Sequence, residues 1–235
     1  MNQKIARKFL ALLALVTLAA CAETRYVAYD GGKEAASPFA RTIEFDLTGK
    51  FYKDPPECAV ILPFTVDGKP YRHARVIEDS LARHLSAKMN RVIGPLERRR
   101  LVRAMAVDLS HPADRAAFAR TNRCRAFVEA KPWGGDDVYV LFWTQSRIGL
   151  DVTMTAIDGK TALWRARHVA TRSDGGLPLS PFSAAYNMFN AARFTSDGDV
   201  AFSLVDDAVR RIAKTLPDTR YPVSGPRRQQ VTAAN

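Results

Sequence analysis

The sequence predicts an α/β domain, an α+β mixed sheet in which strand, helix, strand, helix and strand are followed by an antiparallel meander and a C-terminal helix. Three observations predict it. Short apolar runs bounded by Pro and Gly alternate with segments of helical periodicity. Two later stretches alternate residue by residue around a turn at Asp158-Gly159-Lys160. The last periodic segment, Val200 to Leu216, has the length of a full helix.

The chain has 235 residues, 47% hydrophobic and 25% charged, with 13 Gly and 13 Pro. That composition excludes a disordered chain, a collagen-like repeat and a multi-span membrane protein. Lys4, Arg7 and Lys8 open the sequence without an acid, and Phe9 to Ala20 is apolar or small throughout except for Thr17. Twelve residues make about 18 Å of helix, short of a hydrocarbon core of about 30 Å. The pattern is that of a secretory signal, residues 1–20. Its break is Leu18-Ala19-Ala20-Cys21, which resembles the cleavage box of bacterial lipoproteins. That resemblance implies cleavage before Cys21, a diacylglycerol on its sulfur and an acylated new amino terminus. An ordinary cleaved signal and an uncleaved anchor are the alternatives. Each buried methylene contributes about 0.8 kcal/mol, so two or three acyl chains anchor without a spanning helix. In enterobacterial lipoproteins an Asp after the cysteine favours the inner membrane. Ala22 therefore implies the outer membrane, periplasmic face.

Loss of Lys4, Arg7 and Lys8 lowers the formal charge from +11 to +8 on the mature side chains. A basic chain ordinarily suggests nucleic acid, but export makes that a poor partner. Envelope proteins, anionic lipid or a cell-wall polymer fit better, and self-association stays open. With Cys21 committed to lipid, Cys58 and Cys124 remain as an even pair in an oxidising compartment.

Residues 21–56 read as a tether with one edge strand, Thr42 to Thr48. Residues 57–216 read as the domain, and 217–235 as a loose tail. Cys58 to Phe64 has the form of a strand buried on both faces. Ala74, Ile77, Leu81, Leu85 and Met89 recur at helical spacing, and Arg91-Val92-Ile93 is a brief strand stopped by Gly94-Pro95. Leu96 to Leu109 is a basic helix with Leu101, Val102 and Met105 inward. A further helix starts near Ser110 and ends at Asn122 as a left-handed cap. Ala126 to Ala130, Val138 to Gln145, Leu150 to Ile157 and Thr161 to Thr171 are the remaining strands. Pro181 to Phe194 is a small helix with Phe182, Tyr186 and Phe189 on one face. The last helix turns Phe202, Val205, Ala208, Val209 and Ile212 inward. Right-handed crossovers make the strands after Cys58 and Cys124 parallel neighbours. A disulfide between those cysteines is then favoured over two separate buried thiols.

Ala59-Val60-Ile61-Leu62-Pro63-Phe64, Ile77-Glu78-Asp79-Ser80-Leu81, Val92-Ile93, Cys124 to Val128 and Ile157 to Trp164 stand in a recognisable order. Across residues 58–216 they are similar to a group of bacterial envelope lipoproteins whose domain resembles the amino-terminal domain of the Tol-Pal β-propeller protein. The group includes curli-secretion channel lipoproteins and activators of penicillin-binding proteins. The motifs are structural, so they imply the fold more than an activity.

No catalytic pattern stands out. His73, His84, His111 and His168 lack zinc spacing, and there is no Gly-x-Ser-x-Gly, Walker or dinucleotide loop. Glu78-Asp79 and Asp206-Asp207 are helix neighbours about 100° apart, which is no acid/base pair. Asp136-Asp137 reads as a solvated turn. The expectation is a non-enzymatic protein with no cofactor beyond the lipid on Cys21. Candidate partner-binding residues are Arg98, Arg99, Arg100 and Arg103 on the basic helix, and Trp133 and Trp143 in an aromatic hairpin. The leading role is an adaptor or assembly factor. The alternative is a subunit of a curli-exporter-like channel, and a glycan-binding module ranks behind it.

Overall fold

The computed structural model describes residues 24–30, 42–71, 73–134, 138–140, 143–175 and 198–222. The signal segment 1–20, Cys21, Asp136-Asp137, the segment carrying Phe182, Tyr186 and Phe189, and the tail beyond 222 lie outside them.

In chain order the strands are β1 (Arg25–Ala28), β2 (Thr42–Leu47), β3 (Cys58–Ile61), β4 (Thr65–Val66), β5 (Lys69–Pro70), β6 (Arg91–Ile93), β7 (Ala126–Pro132), β8 (Val138–Val140), β9 (Trp143–Ala156) and β10 (Ala162–Gly175). The helices are α1 (Gly49–Lys53), α2 (Ala74–Ser86), α3 (Pro95–Met105), α4 (Pro112–Asn122) and α5 (Gly198–Lys214). One mixed sheet runs β1-β2-β10-β9-β7-β3-β6, with β8 added on β9, and β4-β5 is a separate hairpin. The expected α/β class with its meander and C-terminal helix is what the structure has.

Two layers follow from the alternation of β3 and β7. Ala59 and Ile61 of β3, with Ala126, Val128 and Ala130 of β7, join a large core under α1, α2 and α5. Val60 and Phe127 face a second, smaller core under α3 and α4, with Phe118 and Leu109. All four residues of β3 are buried, as a strand covered on both faces requires. β3 pairs in parallel with both β6 and β7. On β9 and β10, Leu150, Val152, Met154, Trp164 and Ala166 enter the large core. Trp164 is fully buried and its indole N–H donates to Thr215 Oγ1 at 2.9 Å. Its ~200 Å² of ring surface contributes about 5 kcal/mol of transfer free energy.

The structure corrects several sequence expectations. The strand at Thr42 lies inside the sheet, because β1 pairs with its outer side and β10 with its inner side. The supposed tether also supplies Phe51, fully buried in the large core. At the other end Thr219 is buried and its N–H donates to the Lys88 carbonyl at 2.8 Å, so the chain from Pro217 to Thr219 packs onto the domain. α3 stops at Met105, where Ala106 turns left-handed at φ 49°. The left-handed residue after α4 is Arg123 at φ 52°, while the Asn122 amide donates to the Phe118 carbonyl. Phe202 is 51% exposed, and Leu204 takes the inward place assigned to it. Asp67 and Gly68, both at positive φ, close the β4–β5 hairpin, a two-residue Asp-Gly turn that the sequence carries openly.

Cys58 and Cys124 are bonded, with their Cα atoms 4.8 Å apart. Their sequence separation is 66 residues. Closing a loop of that size restricts the unfolded chain by about 4 kcal/mol. Urea unfolding with and without reductant checks this: reduction should lower stability by up to about 4 kcal/mol, whereas an unchanged midpoint would contradict it.

Candidate docking face

The carboxyl ends of parallel strands are where an α/β sheet leaves room between its connections. At the end of β3 the chain leaves through Leu62 and Pro63, and α3 lies alongside. One buried ion pair fixes that helix. Glu78 of α2 accepts from the Phe64 N–H through Oε1 at 2.9 Å and from Arg98 Nη2 through Oε2 at 2.8 Å. Arg98 Nη1 donates to the Ile61 carbonyl. Both side chains are less than a tenth exposed. At the helix start, a Cβ on Gly94 would sit 3.1 Å from the Ala82 Cβ, so α2 and α3 meet closely there.

Arg98 therefore leaves the basic patch assigned to it from sequence: its guanidinium belongs to the interior. Arg99, Arg100 and Arg103 are exposed, and none is ion-paired among the described residues. With Leu96, which is 65% exposed, they recur at steps of three and four and form one solvent-facing stripe. Beside the stripe is a groove of about 600 Å³ whose wall includes Leu62, Pro63, Val102, Val107 and Leu109, with Arg99 at its rim. The acids there are engaged locally. Asp108 accepts from the Ser110 N–H, which holds its carboxyl below the usual range, and Glu129 lies 3.5 Å from Lys131 Nζ.

The aromatic expectation divides. Trp133 stacks on Arg167, whose guanidinium carbon is 4.4 Å from the Trp133 ring centroid and 4.7 Å from that of Tyr29. Arg167 also bonds Glu44 through Nε at 2.8 Å and Asp30. Trp133 thus packs a buried cation on the sheet face that carries Asp151 and Thr153 rather than standing free. Tyr29 donates to Asp151 Oδ2 at 2.6 Å, and burial, with that bond, pushes its phenol up to about 12. Trp143 begins β9, but its side chain lies outside the described residues.

The paired carboxylates are structural. Burial opposes ionisation of Asp206, yet bonds from His84 (2.7 Å), Arg83 (2.6 Å) and Ser80 outweigh it and hold the carboxyl below its ordinary value. Asp207 instead serves Arg210 and Arg211 on its own helix. Among the described residues no group of three or more His, Cys, Asp or Glu is placed to hold a metal ion. No described helix is long and apolar enough to cross a membrane.

No family model matches the chain, and no curated protein matches it. Its fold is similar to several solved bacterial structures. The PelC dodecamer from Paraburkholderia phytofirmans shares 11% identity over 75% of this chain and 98% of that one, at a TM-score of 0.37. The lipoprotein GNA1162 from Neisseria meningitidis shares 10% over 60% and 99%, at 0.39. A Caulobacter crescentus structure described as a putative lipoprotein shares 8% over 67% and 86%, at 0.35. Likenesses this distant assign neither family nor function.

Two predictions follow from the interior charges. Arg98→Met strands Glu78 in the core and should cost about 3–5 kcal/mol, while Glu78→Gln/Arg98→Met together should recover part of it; denaturant midpoints decide. His168 donates its Nδ1–H to the Thr42 carbonyl at 2.8 Å, and burial pushes its imidazole below the ordinary value, with nearby Arg211 acting in the same sense. The unfolded chain takes up this proton near pH ~6.5 and the folded one only at lower pH. Stability should therefore fall as pH drops below about 6.5, and His168→Gln should flatten that slope in urea titrations.

Proposed function

We propose that this protein is a lipid-anchored, non-enzymatic cell-envelope lipoprotein that acts as an adaptor or assembly factor through protein contacts. The observation that carries the reading is the Cys58–Cys124 bridge, which joins the starts of two adjacent parallel strands and belongs to an oxidising compartment. It agrees with the lipoprotein-like box ending at Cys21. Ala22 favours the outer membrane, facing the periplasm. The finer resemblance, to the Tol-Pal, curli-secretion and penicillin-binding-protein-activator group, belongs to this same reading. For the adaptor role the support is the α3 stripe and its groove, an exposed cationic and apolar surface held rigid from below.

The curli-exporter-like channel is the second reading, favoured by the length of β9 and β10, fourteen residues each. Strands of about 9–11 residues suffice to cross a membrane. Against it, Arg147 and Asp151 of β9 interrupt a lipid-facing apolar row. A ring-shaped oligomer in detergent would favour the channel, and a monomer or dimer the adaptor.

The intact mass of protein extracted from membranes tests the anchor. The expected result is loss of residues 1–20 with diacylglycerol and acyl additions at Cys21, both abolished in Cys21→Ser. Retention of Met1 with no acyl addition would overturn the reading.

A further inference from the structure

We propose that the groove beside α3, together with the arginine stripe, docks an acidic protein segment that inserts one bulky apolar side chain. This rests on the adaptor reading and names the chemistry of its partner.

Charge complementarity points to the occupant. Arg99, Arg100 and Arg103 project from one face of α3 without an ion-pair partner among the described residues, while the acids of the groove rim, Asp108 and Glu129, are already engaged. Guanidinium forks match carboxylates two bonds at a time, which a point cation does not. From Leu96 to Arg103 the stripe covers about 10 Å of helix, the reach of three or four residues of extended chain. An extended segment laid along it presents carboxylates to the arginines on one side. Its intervening side chain falls toward the wall formed by Leu62, Val102, Val107 and Leu109. Exposed Leu96 supplies an apolar contact at the far end.

The concavity decides between a protein and a lipid surface. A flat anionic membrane satisfies the arginines and leaves the groove unfilled. A peptide satisfies both. The pair beneath the stripe matters as well: Arg98, tied to Glu78 and the Ile61 carbonyl, holds α3 in one orientation, so little ordering is required when the partner arrives.

The test is panning of a displayed random dodecapeptide library on the full chain in detergent, followed by fluorescence anisotropy of labelled copies of the selected peptides. Enrichment of Asp and Glu around a Leu or Phe is expected. Charge reversal by Arg99→Glu with Arg103→Glu should weaken binding about tenfold or more, and so should added salt. Val102→Asp should weaken it through the groove, whereas Arg120→Glu on α4 should not. Circular dichroism checks that each variant folds. Peptides without acidic enrichment, or affinities indifferent to the α3 variants, would overturn the proposal. So would phosphatidylglycerol vesicles that bind through these arginines when the peptides do not. The mass at Cys21 reports the anchor separately, so a lipidated chain that ignores acidic peptides overturns the docking inference alone.

Discussion

Glu78 and Arg98 bring three parts of the chain to one point: α2, the backbone leaving β3, and α3. The carboxylate accepts the Phe64 N–H and the arginine, and the arginine donates to the Ile61 carbonyl. A buried ion pair gives little net stability against an apolar substitute, because desolvation consumes most of its attraction. What it supplies is direction. With both charges less than a tenth exposed, any rotation of α3 away from β3 leaves an unpaired charge in the interior. The exposed stripe and the groove beside it, whose lining includes Arg98 itself, inherit their position from this contact.

The two cores divide the work. The larger one, under α1, α2 and α5, spans most of the width of the sheet and contains Trp164. The smaller one covers β3, β6 and β7 alone and is closed by the Cys58–Cys124 bridge. On the same side, β9 and β10 present Asp151, Thr153, Arg165 and Arg167 in place of apolar residues. There a stacked cation, Arg167 between Tyr29 and Trp133, fills the place of packed side chains. The α3 stripe and its groove lie over the smaller core, where the cross-link compensates for limited apolar area.

Much of the architecture was legible in the sequence because its signals are local. The apolar run at Cys58 to Phe64 marks a strand buried on both faces, and Asp158-Gly159-Lys160 marks the β9–β10 hairpin. The cysteine juxtaposition follows from the right-handed crossovers. What escaped depends on distant partners. Nothing near Thr42 announces that β1 will cover it, and Phe51 looks like part of a tether until the sheet exists. Arg98, Arg99 and Arg100 read as one basic run, yet successive helical residues point about 100° apart, and only the distant Glu78 decides which one turns inward. Phe202 fails in the opposite sense, since Leu204 fills the core position. At Trp133, periodicity gave the aromatic but not Arg167, its stacking partner from β10. The Asp67-Gly68 turn of the β4–β5 hairpin is, by contrast, a purely local signal.

Hydrogen exchange of α3 in the Glu78→Gln protein tests the directing role of the pair most directly. Loss of protection across Leu96 to Met105, with β9 and β10 unchanged, is the outcome this account predicts. Undiminished protection throughout α3 would contradict it, because the helix would then be held by packing alone.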